Sequence, residues 1–294
     1  MVLPYRHGRE AAAVVLGRAR RAREVPTAQL LLVPGLAFLA LVFAGPLLLL
    51  LSRSVLDPNF TLRHYEHVFA VPEYLHVLGV TFEIAAITTA LSLILGYPVA
   101  YVMARTSEGW RTLMLAVLLL PIWTNVLVRC YAWMLLLQTK GVVNIALVDW
   151  LGVTDTPIEM MYNFTGVVVG LVHYLVPPAV LILFSVMRLI DVRLLDVAES
   201  LGAPPLRAFW RIYFPLTMPG IRAAAILVFI MAIGAYVTPA LLGGKRELTI
   251  AMLINTQFSE LLNWGFGSAL AMVLLAVTLV ALYLYYTLTP QGKR

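Results

Sequence analysis

Two ionisable side chains sit inside apolar runs of this 294-residue chain, Glu83 early in the second run and Arg129 late in the third. A charge inside a membrane-length apolar segment is costly, and it usually faces a bundle interior or a water-filled cavity. Three readings stand side by side. The two groups can pair with each other, Glu83 can meet an amine ligand directly, or both can lie near an interface and reach out to it. Aromatic side chains accompany them: Trp123, Tyr131 and Trp133 in the third run, His173 and Tyr174 in the fourth, and Tyr236 in the fifth. Aromatic faces attract cations by roughly 0.5–2 kcal/mol each, although the same residue types also serve as packing and interface groups. Tyr236 stands among Gly234, Thr238 and Pro239, a setting in which an irregular helix and a cavity beside it are expected. Asn255 and Gln257 are placed in an outer loop.

Other chemistry is sparse. Cys130 is the single cysteine, so no disulfide framework or cysteine metal site arises within the chain. His64 and His67 are three apart and read as a solvated loop pair; no metal site is expected. The cytoplasmic loops hold no cluster of His, Asp or Glu at catalytic spacing, and no catalytic residue is assigned. No GxxxxGK[ST] loop is present, so the chain is not expected to hydrolyse ATP by itself.

The elements that position these residues follow from composition. The chain is 61% hydrophobic and only 12% charged, against about 25% charge in soluble domains. The apolar residues come in runs long enough to cross a bilayer as helices, at about 30–51, 79–104, 112–137, 165–188, 218–242 and 266–288. An all-α, polytopic fold with six transmembrane helices is therefore expected. The basic tail 1–29 precedes a single transmembrane domain, 30–294. The first run is too long for a cleaved leader and reads as a retained helix. Lys and Arg distribute fifteen to one side and five to the other, which predicts both termini in the cytoplasm. The net charge of +6 is thereby explained by membrane orientation, without nucleic acid as a partner. Eight acidic residues, among them Asp57, Glu66 and Glu159, fall in the outer loops, where they either concentrate cations or simply occupy positions disfavoured for bases. Proline recurs in the runs, most densely at Pro177-Pro178.

The longest cytoplasmic connection, 191–216, carries its own pattern. Leu194, Leu195, Val197, Ala198 and Leu201 fall at helical spacing. Gly202 and Pro204-Pro205 end that helix. A second amphipathic stretch, with Leu206, Phe209, Trp210, Ile212 and Tyr213, is expected to stop at Pro215 and Pro219. The result is a cytoplasmic helix–turn–helix with an exposed apolar surface, either an interaction site or a helix lying on lipid.

This segment resembles the signature of ABC-importer permeases: Glu-Ala-Ala, three residues, Gly, nine residues, Ile, one residue, Leu-Pro. Asp196-Val197-Ala198, Gly202, Ile212 and Phe214-Pro215 keep every spacing. Asp196, Val197 and Phe214 depart mildly in type. The stretches Arg129 to Asn144, Phe229 to Gly244 and Phe258 to Leu275 further resemble spermidine/putrescine-type permeases, and the likeness spans roughly residues 80–288. It favours the first of that family's two permease subunits.

The resemblance implies a coupling segment in which Asp196, Ala198, Gly202, Ile212 and Pro215 dock on cytoplasmic ATPase subunits, where ATP and Mg bind; this chain itself holds no cofactor. It implies a second homologous permease, a periplasmic or surface solute-binding protein, a bacterial inner-membrane location and import of a small solute such as putrescine or spermidine. Glu83, Trp123, Arg129, Tyr131, Trp133, Tyr174 and Tyr236 are then the candidates for the substrate path. An importer of another small solute and an ion-coupled secondary transporter are the competing readings.

Overall fold

The computed structural model describes residues 32–57, 59–191 and 193–288, so the basic tail 1–29 and the final residues lie outside it. Among the described residues every regular element is a helix. Six helical stretches are long and apolar enough to cross a membrane: Leu32–Leu56, Pro72–Arg105, Val126–Trp150, Phe164–Met187, Pro205–Ile233 and Trp264–Thr287. Helices satisfy their backbone groups internally, which a segment in hydrocarbon requires.

In chain order, α1 is Leu32–Leu56 and α2 a short helix, Arg63–Ala70. α3 is Pro72–Arg105, 34 residues with Pro72 in its first turn and Pro98 inside. α4 is Glu108–Trp123 and α5 is Val126–Leu137. After a turn comes α6, Val142–Ile145, continued by a π-helical turn over Ala146–Trp150. α7 is Phe164–Met187 and α8 is Arg193–Ser200. α9 is Pro205–Ile233, α10 is Val237–Leu242, α11 is Ile250–Ser259 and α12 is Trp264–Leu288.

The centre of the bundle is α7, packed along α3 and α9, which also touch each other. Its sequence is apolar on all sides, so it can be surrounded by protein, and Val167, Leu171, Leu175, Ala179, Val180 and Leu183 are buried along it. Pro177 and Pro178 leave it a single helix. α1 lies at the periphery against α12, and none of its most apolar 18-residue window is buried.

Three expectations about helix ends change. The predicted third span, 112–137, is two half-helices. α4 carries Pro121, which removes one helical donor, and α5 starts afresh after the extended Thr124 and the non-helical Asn125. Asn125 caps the new start by accepting from the Leu127 N–H at 2.8 Å. Pro215 and Pro219 do not stop the stretch that begins at Pro205; it runs unbroken to Ile233. The chain makes a π-helical turn over Phe209–Tyr213, with the Phe214 N–H on the Phe209 carbonyl. The widened turn accommodates the Pro215 ring, which would clash with a normally spaced α-helical carbonyl. Asn255 and Gln257, expected in a loop, lie on α11.

Candidate translocation cavity and coupling surface

The break between α4 and α5 creates the most distinctive site in the bundle. The Pro121 carbonyl accepts from the Arg129 guanidinium at 2.9 Å and from the Thr124 hydroxyl at 2.9 Å. Arg129 is only 7% exposed. Its guanidinium also lies 4.4 Å from the centroid of the Tyr174 ring on α7, and its Nε has no hydrogen-bond partner. Residues from α4, α5, α7, α9 and α10 enclose a cavity of about 530 Å³ here; Thr124, Arg129, Tyr174, Tyr236 and Thr238 line it.

The far wall comes from a second break. α9 ends at Ile233, and the chain passes through Gly234, Ala235 and Tyr236 before α10 begins. Tyr236 is left part-exposed, its hydroxyl accepting from the Asn255 amide on α11 at 3.0 Å. Thr238 is buried and accepts a long contact, 3.7 Å, from the Cys130 thiol. α10 can press this close to α7 because position 170 is glycine: a Cβ there would meet Thr238 Cγ2 at 2.8 Å.

Of the candidates named from sequence, Arg129, Tyr174 and Tyr236 therefore meet in one cavity, and the others lie elsewhere. Trp133 donates through Nε1 to His173 Nδ1 at 3.2 Å, joining α5 to α7. Tyr131 is 57% exposed and lines a separate cavity of about 590 Å³ with Gln138, Glu159 and Tyr162. Trp123 is 85% exposed at the end of α4. Glu83 does not pair with Arg129; no ion pair joins them among the described residues, and the freed Pro121 carbonyl takes the guanidinium instead. The Glu83 side chain is exposed on α3, on the same face as Gly79, Ala86 and Ala90. α3 begins at Pro72, earlier than expected, so Glu83 stands about 16 Å along the helix rather than at its start. Thr124 had no signal of its own, because short polar residues in apolar runs are frequent and only the break gives it a cavity to face.

At the opposite end from the α11–α12 connection, α8 and the start of α9 form a helix–turn–helix. α8 ends at Ser200, and Gly202 turns the chain with φ +86°, a left-handed conformation that glycine adopts without Cβ strain. The Gly202 N–H donates to the Glu199 carbonyl at 2.9 Å and the Ala203 N–H to the Ala198 carbonyl at 3.0 Å. Leu195, Ala198, Ala208 and Tyr213 are buried with Ala100 and Met103 of α3 and Leu183, Phe184 and Met187 of α7. Ala198 is small because it sits against this core. Arg105 of α3 covers the Tyr101 and Tyr213 rings, at 4.2 and 5.0 Å from their centroids. The outward side is apolar: Leu194, Val197, Leu201, Leu206 and Trp210 are exposed. Asp196, Gly202 and Pro215 are exposed and Ile212 is half-buried.

Comparison with known proteins agrees with this architecture. Residues 89–291 match the family described as binding-protein-dependent transport system inner membrane component. The spermidine/putrescine transport system permease protein PotB of Escherichia coli K12 is 40% identical over 235 residues, which cover 80% of this chain and 85% of PotB. PotB of Haemophilus influenzae is 36% identical over 249 residues, covering 82% of this chain and 86% of the relative. A chain of a bacterial alginate ABC transporter, solved in complex with an alginate-bound periplasmic protein, superposes with a TM-score of 0.75 at 14% identity, covering 93% of this chain and 99% of its own. The chain belongs to the family of binding-protein-dependent transport system inner membrane components, the multi-pass inner-membrane permease subunits of ABC importers.

Proposed function

We propose that this permease imports a polyamine such as putrescine or spermidine. The observation that carries the proposal is the identity of 36–40% to spermidine/putrescine permeases over four-fifths of the chain. The cavity supports it with the part-exposed ring of Tyr236, an aromatic group that suits the methylene chain and ammonium groups of such a cation. Both termini lie in the cytoplasm in this reading, following the distribution of Lys and Arg.

The exposed apolar side of α8 and early α9 is then the seat of a cytoplasmic ATPase, with Asp196, Ala198, Gly202, Ile212 and Pro215 shaping it. A second homologous permease covers the membrane face that bears Glu83, whose carboxylate would otherwise meet lipid. A periplasmic binding protein delivers the solute. ATP-driven closure of the ATPases pushes on the coupling helices and reorients the broken helices around the cavity.

One observation favours a different solute. Arg129 is the one charged side chain among the described residues that line the cavity, and a fixed cation suits an anionic solute. Uptake of labelled putrescine and spermidine into vesicles carrying the complete transporter, with and without this subunit, decides between them. Polyamine uptake that depends on the subunit is the expected result. No polyamine uptake from an intact complex with active ATPase discards the polyamine and leaves the permease assignment standing.

A further inference from the structure

Arg129 presents a physical problem. A buried charge is ordinarily paired, because desolvation costs several kcal/mol per ion. Arginine does not escape by losing its proton. Among the described residues no carboxylate compensates it: one amino group holds the Pro121 carbonyl, the flat face rests on Tyr174, and Nε has no partner. The positive field of the guanidinium is therefore uncancelled within the cavity, where low dielectric strengthens it. The contact with Tyr174 also covers the aromatic face on which a stray cation would settle.

We propose that Arg129 is a specificity-determining residue, a fixed charge that keeps small inorganic cations such as K⁺ and hydrated protons from leaking through the resting permease. The proposal rests on the reading that this cavity belongs to the translocation path. A fixed arginine placed in a pore excludes protons and cations by the same electrostatics. A bound organic cation crosses only when the ATP-driven rearrangement moves α5, and Arg129 with it.

The competing role is a structural one, a stitch between the α4–α5 break and α7. Three variants separate the two. Arg129→Gln keeps a donor and removes the charge. Arg129→Lys keeps the charge and loses the flat fork. Val126→Asp leaves Arg129 in place and sets a carboxylate on the cavity wall in the first turn of α5, where the helix dipole tolerates it. The complete complex is reconstituted in liposomes without ATP. K⁺ efflux is read with a potassium-sensitive dye and proton entry with an entrapped pH dye.

The expected result is a leak raised at least about tenfold by Arg129→Gln and by Val126→Asp, and held within about twofold of the parent by Arg129→Lys. A parental leak rate in either charge-cancelling variant that still hydrolyses ATP overturns the proposal, as does an equal leak in the Lys and Gln variants, which would mark a purely structural stitch. Should Arg129→Gln fail to assemble, Val126→Asp carries the test by itself. The polyamine reading fails separately: a parent complex that takes up no polyamine yet leaks on charge cancellation keeps the barrier and loses the substrate.

Discussion

Replacing Gly202 by alanine is the sharpest perturbation of the proposed coupling surface. At φ +86° an L-residue is strained by about 1–2 kcal/mol. An added Cβ at this position meets nothing within 4 Å, so the whole cost is backbone strain and the bundle should still fold. The turn can relieve that strain locally, because its anchors are the buried Leu195 and Ala198 on one side and Ala208 on the other. Relief means giving up the bonds from Gly202 N–H to Glu199 and from Ala203 N–H to Ala198, which tilts α8 away from its docking pose. A docking ATPase must restore the turn, so its affinity should fall by about 5–30-fold. Gly202→Trp should lose more, because its bulk fills open space that the proposed ATPase partner would occupy. The assay is titration of the purified ATPase onto the permease pair in nanodiscs, with thermal unfolding of the permease run alongside. ATPase affinity within twofold of the parent in Gly202→Ala, at an unchanged unfolding midpoint, would refute the reasoning.

Two further outcomes are expected. Glu83→Gln preserves shape and removes the charge; if the carboxylate meets an ammonium group, polyamine uptake should fall about tenfold or more, whereas unchanged uptake kinetics put Glu83 outside the path. Asn144 is buried and ties three backbone groups together, donating to the Gln138 and Ile158 carbonyls at 3.1 and 3.0 Å and accepting from the Ile158 N–H at 2.8 Å. Asn144→Ala should therefore destabilise the protein by about 2–3 kcal/mol, seen as a lower unfolding midpoint in detergent; an unmoved midpoint means those bonds are not made.

Hydropathy made most of the helical frame legible, because a bilayer-length apolar run has few other solutions. The turn at Gly202 was equally plain, since glycine followed by paired prolines ends a helix by local geometry. The break at Tyr236 could also be read, from Gly234 and Pro239 flanking a polar pair. The α4–α5 break could not be read from hydropathy, which sees 112–137 as continuous. Its signal was Pro121 followed by Thr124-Asn125, a helix stop and a new N-cap. The failed Glu83–Arg129 pair has the same root. The broken helix frees a carbonyl beside Arg129, and that local acceptor takes the guanidinium without any carboxylate. Trp133 with His173, and Gly170 with Thr238, depend on which helices meet, a choice that no single run encodes.

The length of α3 has a mechanical corollary. Its 34 residues make a rod of about 51 Å, well beyond the roughly 30 Å of a hydrocarbon core. One end carries Tyr101 and Met103 in the core beneath the coupling helices; near the other, the Thr81 hydroxyl accepts from the Ile250 N–H of α11 at 2.9 Å. α11 in turn holds the Tyr236 hydroxyl through Asn255. A tilt of about 10° around the middle of such a rod moves Thr81, about 11 Å from that point, by about 2 Å. That displacement is enough to break a hydrogen bond of 3.0 Å, so α3 can serve as a lever whose short stroke at the proposed ATPase face releases the tyrosine at the cavity wall.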